Sequence, residues 1–291
     1  MSGRGSNPRP SGVRPGRRPQ LRPEATTLWS YPSQHYDAPG NPDQSPRGRA
    51  TMQGDKAYAG ATPSWVIWQL LTRYTRRGDL VVDPMAGSGT TLDVARDLGR
   101  RSIGYDLAPA REDIFAADAR SLPLEDAVAD FVFIDPPYST HVRYSDDPRC
   151  IGRLDAGAAP PPGGPGRRGA EYYAAMERVV DEIHRVLRDR RYMAMYVSDS
   201  WRKRRGKAGG GGGIFMPIGF EMFAILRRRF VPIDIVCVVR GNQKLTRGNW
   251  RKAAVEGNFF LRGFNYLLIM KKVNDVEMEN SEDTGIHRGK R

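Results

Sequence analysis

This sequence is poor in cysteine and lacks long apolar runs. Its 291 residues include two cysteines, Cys150 and Cys237, which form neither a metal-binding spacing nor a disulfide framework. We therefore assign no metal site and expect a reducing compartment, the cytoplasm. No segment has the length of a membrane span or the apolar core of a signal peptide, so we expect neither membrane insertion nor secretion.

Acidic residues are also in deficit. Asp and Glu number 33 against 46 Lys and Arg, which gives a net charge of +13. Such an excess favours a polyanionic partner through counterion release, although solvated basic loops are the plainer alternative. The basic residues interrupt three predicted connections, 139–170, 201–215 and 240–262. The residues that we expect to contact nucleic acid are Arg143, Arg202, Lys203, Arg204, Lys244, Arg247, Trp250 and Arg251.

The length suits one α/β domain with tails. We predict a disordered basic tail rich in Pro and Gly over 1–26, an aromatic strap over 27–60, a domain over 61–273 and a polar tail over 274–291. The strap is interpreted as packing against the domain, with a lid over the ligand as the alternative.

A glycine-rich turn follows the predicted strand 79–83 and precedes an amphipathic helix. Gly87 and Gly89 allow the backbone to approach a ligand, and the helix N-terminus offers free amides. The lysine of a phosphate-binding P-loop is absent, and so is a complete dinucleotide fingerprint. The next strand ends at Asp106, which is placed to bind ribose hydroxyls, and Asp118 follows a third strand. The pattern favours a nucleoside ligand without a pyrophosphate.

Asp135-Pro136-Pro137-Tyr138 follows the apolar run 131–134. The prolines lack backbone donors, so the neighbouring carbonyl groups and the Asp135 carboxylate are placed to accept hydrogen bonds from a planar amine. Tyr138 is placed to stack on the ring that carries this amine. The alternative is a strand followed by a Pro-Pro turn with a surface tyrosine.

Taken in order, segments 83–91, 104–106, 117–120 and 135–138 closely resemble the S-adenosylmethionine-dependent amino-methyltransferases of nucleic-acid bases, and most closely the DNA N4-cytosine/N6-adenine methylases. The resemblance covers roughly residues 62–272. Met85 stands where that family usually has Phe, and Met is an adaptable apolar residue. The resemblance implies S-adenosylmethionine as cofactor. It implies cofactor binding by Thr62, Pro63, Asp83, Pro84, Met85, Ala86, Gly87, Ser88, Gly89, Thr90, Asp106 and Asp118, and catalysis by Asp135, Pro136, Pro137 and Tyr138.

The remaining pattern fits the fold of this family. Helices are predicted over 171–187 and 217–228, and strands over 192–197, 233–239 and 264–270. No helix is predicted between the last two strands, which are expected to form an antiparallel hairpin at a sheet edge. The expected fold is therefore a class I, Rossmann-like methyltransferase with a doubly wound, mostly parallel sheet.

The resemblance implies site-specific methylation of DNA, with adenine N6 preferred because the family's adenine enzymes more often carry Asp at the position of Asp135. N4-cytosine methylation and guanine-N2 methylation of RNA remain alternatives, and a protein that only binds nucleic acid is less favoured. The absence of a cysteine that follows a proline argues against a C5-cytosine methylase. About fifty residues separate the two motifs, too few for an inserted recognition domain. Recognition is therefore either modest or aided by a partner, such as a cognate restriction or recognition subunit.

Overall fold

The structure is a computed structural model that describes residues 21–31, 34–36, 53–55, 58, 60–160, 166–203, 213–239 and 248–273, without the side chains of residues 202 and 203. Its main sheet has the strands β1 (Leu28–Trp29), β2 (Leu80–Asp83), β3 (Arg101–Asp106), β4 (Ile114–Ala116), β5 (Ala129–Ile134), β6 (Leu187–Val197), β9 (Val231–Val239) and β10 (Phe264–Lys271). Strands β7 (Ser200–Lys203) and β8 (Gly213–Met216) form a separate hairpin. The helices are α1 (Ser64–Tyr74), α2 (Thr90–Asp97), α3 (Ala170–Val186), α4 (Ile218–Leu226) and α5 (Gly248–Glu256).

The eight strands of the main sheet lie in the order β1-β9-β10-β6-β5-β2-β3-β4. Strand β10 runs antiparallel to both of its neighbours, and every other neighbouring pair is parallel. The order reverses between β2 and β5, and ligands bind at such a switch point in open α/β sheets. The doubly wound, mostly parallel sheet expected from the sequence is confirmed.

Two apolar layers cover the central strands. On one face, α3 and α4 pack against side chains of β5 and β6 such as Val132 and Met195. On the other face, α1 packs against Phe131 and Ala194, the alternate residues of the same strands. The central strand β5 is buried at all six positions, as expected for a strand covered on both sides. This arrangement fixes the carboxyl ends of the parallel strands, where open α/β sheets bind ligands.

Three elements correct the expectations from the sequence. Helix α5 lies between β9 and β10, where no helix was predicted; its Arg-Lys-Ala-Ala-Val-Glu stretch has high helix propensity, and Lys252 pairs with Glu256 at 3.6 Å. The hairpin of β9 and β10 is antiparallel as predicted but is not at the edge, because β1 pairs in parallel with β9. The connection 201–215 contains the hairpin β7–β8 rather than only a loop.

The predicted boundary of the N-terminal tail is also too late. The backbone amide of Glu24 donates to Oε1 of Gln69 at 3.0 Å, and Nε2 of Gln69 donates to the carbonyl of Arg22. Residues 22–24 therefore lie against α1, because one buried amide side chain satisfies two polar groups of this extended backbone. Residues 1–20 and 274–291 of the predicted tails lie outside the described residues.

Candidate active site

The glycine loop, residues 83–90, joins β2 to α2 and forms one wall of the site. Gly87 and Gly89 both have left-handed backbone conformations, with φ of 47° and 76°. A Cβ on Gly87 would lie 2.9 Å from the ring of Tyr58, so a larger residue would displace the tyrosine that covers the loop. The loop therefore needs glycine for its conformation and for the close approach of Tyr58.

The buried Asp83 carboxylate holds this loop through hydrogen bonds. Its side chain is 3% exposed; Oδ1 accepts a hydrogen bond from the Met85 amide at 3.1 Å and Oδ2 accepts one from the Thr91 hydroxyl at 2.6 Å. Burial raises the pKa of Asp83 to about 7, with the Asp135 and Asp106 carboxylates adding to the effect and the two hydrogen bonds opposing it. Oδ1 is bonded to the loop and Oδ2 to the first turn of α2, so the structure gives Asp83 a bracing role rather than direct contact with the cavity.

Asp106 lies at the carboxyl end of β3 and connects two motifs. Its Oδ2 accepts a hydrogen bond from the Gly87 amide at 3.1 Å, and its Oδ1 accepts one from the Ala108 amide at 2.9 Å. The carboxylate also lines the central cavity, and carboxylate oxygens have further lone pairs for ligand hydroxyls. Asp106 is therefore held in a fixed position at the place predicted for a ribose acceptor.

Asp118 also reaches the cavity, but its carboxylate is shared with Arg120. The guanidinium donates to both oxygens, at 2.8 and 2.6 Å. Burial opposes ionisation, yet the hydrogen bonds from Arg120 leave the pKa of Asp118 below its ordinary value. Sequence reasoning did not anticipate this pairing, which leaves Asp118 fewer lone pairs for an adenine amino group.

The Asp135 carboxylate lies where β5 ends and receives two hydroxyl groups. Tyr138 donates to Oδ1 at 2.6 Å, and Thr62 donates to Oδ2. Burial raises the pKa of Tyr138 well above its ordinary value, with the Asp135 charge adding to the effect, so this hydroxyl stays a donor. Tyr138 is thus bonded to Asp135 instead of presenting its hydroxyl to solvent, and Thr62, predicted to bind cofactor, contacts the Asp135 carboxylate.

The Pro-Pro turn is fixed from the protein side. The Tyr172 hydroxyl on α3 donates to the carbonyl of Pro137 at 2.7 Å, and the Ser139 amide donates to the same oxygen at 3.0 Å. Ser139 adopts a left-handed conformation with φ of 62°, which is uncommon for a residue with a side chain. Its hydroxyl accepts a hydrogen bond from the Ala156 amide at 2.9 Å. The Pro137 carbonyl therefore faces the protein and does not point to a ligand as the sequence interpretation proposed.

One cavity joins the two motifs. It encloses about 560 Å³, counting the space open to solvent. Six predicted site residues line it: Pro84, Met85, Asp106, Asp118, Asp135 and Pro137. The other predicted residues, namely Thr62, Pro63, Asp83, Ala86, Gly87, Ser88, Gly89, Thr90, Pro136 and Tyr138, do not line it in this structure.

Two tyrosines that no motif predicted complete the wall of this cavity. Tyr58 and Tyr144 stack with ring centroids 6.3 Å apart and an angle of 29° between their planes. Burial raises the pKa of Tyr144 to about 12, with the Asp135 charge adding to the effect, so its hydroxyl is protonated at neutral pH. Tyr144 belongs to the loop that follows the Asp-Pro-Pro-Tyr motif. No sequence pattern singled out Tyr58, because its position depends on how the strap crosses the glycine loop.

The predicted nucleic-acid contacts are only partly described. Arg143 is 78% exposed and forms an ion pair with Asp146, while Trp250 and Arg251 lie on α5. Arg204, Lys244 and Arg247 lie outside the described residues, as do the side chains of Arg202 and Lys203. Among the helices that the structure does describe, none is long and apolar enough to span a membrane.

Comparison with known proteins finds similarity to DNA methylases in part of this chain. A family model described as a DNA methylase matches residues 11–117, which include the glycine loop and Asp106. The chain is 32% identical over 88 residues to the type II methyltransferase M.MthZI of Methanothermobacter thermautotrophicus, a match that covers 30% of this chain and 25% of that protein. Over these segments the chain is similar to the DNA methylases that act on N4 of cytosine or N6 of adenine.

Other methylase relatives match over similarly short segments. The DNA adenine methyltransferase YhdJ of Escherichia coli is 34% identical over 76 residues, 26% of each protein. The type II methyltransferase M.BamHI of Bacillus amyloliquefaciens is 49% identical over 39 residues, 13% of this chain and 9% of that protein. The chain thus spans about a quarter or less of the length of these relatives. The family match ends before Asp135, so it does not include the Asp-Pro-Pro-Tyr half of the candidate site.

Proposed function

We propose that this protein transfers a methyl group from S-adenosylmethionine to an exocyclic amino group of a DNA base, with N6 of adenine as the preferred target. One observation carries the proposal. The Asp135 carboxylate, an acceptor for the hydrogens of an amine, shares a cavity with Asp106, an acceptor at the tip of the second parallel strand. A nucleoside cofactor and a planar amine are therefore expected to meet between the ends of β3 and β5.

The residues of the cavity fit this cofactor. Asp106 would accept the ribose hydroxyls, and Leu107 and Ile151 offer apolar contact to an adenine ring. The Gly87 amide donates to Asp106 and so helps to hold this carboxylate at the cavity wall. The charge distribution of the site also fits, since the sulfonium of the cofactor is a cation and the site contains the carboxylates of Asp106 and Asp135. When bound, S-adenosylmethionine supplies a methyl group activated towards a nucleophile.

The residues of the chain act on the amine. An exocyclic amine on a heteroaromatic ring is a weak nucleophile, because its lone pair is delocalised into the ring. Asp135 is placed to accept one N–H of this amine, which favours a pyramidal nitrogen with a localised lone pair. The hydroxyl groups of Thr62 and Tyr138 hold the carboxylate in one orientation. Positioning of this kind contributes up to about 7–11 kcal/mol in well-oriented systems.

The preference for adenine rests on Asp135 and on one relative. Adenine methylases of the resembled family more often have Asp at this position, and the relative YhdJ carries the name of an adenine methyltransferase. N4 of cytosine is the alternative target, because its amine presents the same two hydrogens to Asp135. We further propose that the protein acts in the cytoplasm on duplex DNA, with the target base rotated out of the stack. A restriction or recognition subunit remains a proposed partner.

The test uses radiolabelled S-adenosylmethionine with equal amounts of duplex genomic DNA and total RNA. Digestion to nucleosides identifies the labelled base. Asp135→Asn keeps the shape of the side chain and is expected to reduce labelling by a factor of about 10² or more, because it removes the negative charge and replaces one acceptor oxygen with an NH2 donor. Asp135→Ala is the second variant, and circular dichroism establishes that both variants fold.

Each outcome has a distinct meaning. Label in N6-methyladenine of DNA that is lost with Asp135→Asn supports the proposal, and label in N4-methylcytosine corrects only the base. Label confined to guanine in RNA would overturn the assignment to DNA. Cofactor binding without any labelled polymer would favour a protein that binds nucleic acid without modifying it.

A further inference from the structure

An exposed aromatic surface lies beside the candidate active site and takes no part in the chemistry described above. We call it the aromatic strip. Large aromatic side chains on a protein surface are normally scattered, so a connected group of them calls for a ligand or partner. Its members are Trp201 on β7, Phe215 on β8, Phe220 on α4, Arg262, and Phe264 and Tyr266 on β10.

The strip is exposed on the outer face of the hairpin and at the start of β10. Trp201, Phe215 and Phe220 are 45%, 44% and 67% exposed. Strand alternation explains why the hairpin presents them: Ser200 and Met216 face inwards and are buried, whereas Trp201 and Phe215 form the next cross-strand pair and face outwards. The outward aromatic pair is thus a consequence of register and not of incomplete packing.

Ring contacts connect the members in two groups. The centroids of Trp201 and Phe215 are 6.2 Å apart, and the Cζ atom of Arg262 lies 4.7 Å from the Phe215 centroid, a cation–π distance. Tyr266 makes edge contacts with Phe264 at 5.1 Å and with Phe220 at 5.8 Å. Arg262 and Phe264 are two residues apart in the chain, which brings the two groups next to each other.

The surroundings hold these rings in place. A Cβ on Gly213 would lie 1.7 Å from Nε1 of Trp201, so the indole rests directly on the glycine backbone. Tyr266 lies in the same way over Gly219, and its hydroxyl donates to Asp199 at 3.1 Å. The strip is therefore largely formed before any ligand binds, which reduces the entropic cost of binding.

Contacts connect the hairpin that bears the strip to the loop that follows Tyr138. His141, in the loop after Tyr138, forms a hydrogen bond with Ser200 at the start of the hairpin. The Met216 side chain lies against Gly157, where a Cβ would be 3.0 Å from its sulfur. Tyr266 pairs with Val197 on β6, the strand next to β5. The hairpin thus borders the same end of the sheet as Asp135.

We propose that the aromatic strip binds unpaired nucleotides adjacent to the target base, by stacking of their bases on Trp201 and Phe215. This inference rests on the proposed function, because rotation of the target base out of the duplex breaks its base pair, leaves its partner unpaired and opens the duplex at this rim. Exposed aromatics interleaved with arginine are the features of surfaces that bind single strands. The guanidinium of Arg262 and the chain's charge of +13 complement phosphate, whereas a purely apolar protein partner would gain nothing from them.

The test measures the anisotropy of a fluorescent single-stranded DNA and of a fully paired duplex, without cofactor. Trp201→Ala and Phe215→Ala are each expected to weaken single-strand binding about tenfold, within the range measured for stacked bases, and to leave duplex binding nearly unchanged. Trp201→Phe keeps an aromatic ring and is expected to restore most of the affinity. The matched control is Phe115→Ala, which removes a ring that is 58% exposed on the opposite edge strand, β4.

Unchanged single-strand binding in both alanine variants would overturn the proposal. So would an equal loss with Trp201→Phe, or a change in oligomeric state measured by sedimentation while binding persists, which would make the strip an interface between copies. Because this readout is binding in the absence of cofactor, a failure of methyl transfer leaves it interpretable. The two proposals can therefore fail separately.

Discussion

At the scale of single residues, Asp83 shows how a buried acid shapes the glycine loop. Its carboxyl group accepts hydrogen bonds from the Met85 amide and the Thr91 hydroxyl, close to the charges of Asp106 and Asp135. A raised pKa means that folding favours the protonated form. The resulting stability is present below the unfolded pKa of about 3.8 and is lost as pH rises through about 7.

We predict that Asp83→Asn reduces this pH dependence. The wild-type protein should lose up to about 1.4 kcal/mol of unfolding free energy per pH unit from this group between pH 4.5 and 7, while the variant, which has no carboxyl group here, should not. The amide oxygen replaces the acceptor for Met85, and the amide NH2 donates to the Thr91 hydroxyl oxygen. Denaturant unfolding at four pH values measures both curves. Parallel curves for the two proteins would contradict the raised pKa.

A second prediction at this scale concerns the two hydroxyl groups on Asp135. Tyr138→Phe and Thr62→Val each remove one donor without a large change in shape. We expect each to lower kcat about ten- to a hundredfold, since a hydrogen bond to a charged group contributes about 1.5–3 kcal/mol. The KM for cofactor should change little. Steady-state methylation kinetics give both constants.

The matched control is Tyr173→Phe, which removes a tyrosine hydroxyl on α3. The Tyr173 ring lies beneath the Arg167 guanidinium, 4.6 Å from its Cζ atom, and this hydroxyl is not one of the two that donate to Asp135. The kcat of this variant should match the wild type. If Tyr138→Phe and Tyr173→Phe gave equal rates, Tyr138 would be a packing residue only.

At the scale of elements, the N-terminal strap forms the edge of the sheet. The Trp29 ring makes an edge contact with Trp65 at 5.7 Å, and its Nε1–H donates to the Thr26 carbonyl at 2.7 Å. Tyr36 is buried as well, and its hydroxyl donates to Asp97 on α2 at 3.0 Å. The strap thus adds a row of buried aromatic contacts to the face that α1 covers.

This packing predicts different effects at two neighbouring positions. Trp29 is 2% exposed and Leu28 is 63% exposed on the same short strand. Trp29→Ala should cost about 3–5 kcal/mol, because it opens a cavity against Trp65, while Leu28→Ala should cost about 0.5 kcal/mol or less. Urea unfolding of both variants measures the difference. Similar values for the two would show that the strap contributes little to the core.

Elements with strong periodicity were predictable from the sequence, and those formed by tertiary pairing were not. The buried run of β5 and the helical spacing of α3 indicated both elements close to their bounds. Strand β1 has two residues, too few for any periodicity, and it exists because β9 offers an open edge. The hairpin β7–β8 depends on Trp201 resting on Gly213, a contact between residues at either end of a glycine-rich connection.

The residues of the candidate site also fall into those that the sequence predicted and those that it did not. Asp106 and Asp135 were predictable because each lies at the end of a strand that the apolar pattern marks, and parallel strands bring their carboxyl ends together. Tyr58 and the pairing of Thr62 with Asp135 were not, because both depend on where the strap and the start of α1 cross the sheet. Local sequence carries no signal for such crossings.

At the scale of the whole molecule, the distribution of charge decides which surface meets DNA. Helix α5 lies between the end of β9 and the start of β10. It is therefore at the same end of the strands as Asp135. Arg251 is exposed at this end, whereas Arg143, also at this end, forms an ion pair with Asp146. Arg77 is exposed in the turn between α1 and β2, at the opposite end of the parallel strands. If DNA binds at the end of the strands where the candidate active site lies, Arg251 contributes a phosphate contact and Arg77 does not.

This difference leads to a prediction about the salt dependence of DNA binding. For the wild-type protein, the logarithm of the affinity for duplex DNA should fall linearly with the logarithm of salt concentration, because bound arginines and lysines release counterions. Arg251→Ala should lower the magnitude of that slope by about 1 and weaken binding to all sequences equally, while Arg77→Ala should change neither. Both variants remove one positive charge, so they are matched in net charge. Fluorescence anisotropy over about a sixfold range of salt concentration, from roughly 50 to 300 mM, measures the slopes. Equal slopes for the two variants would mean that overall charge, and not the position of the basic residues, governs the encounter with DNA.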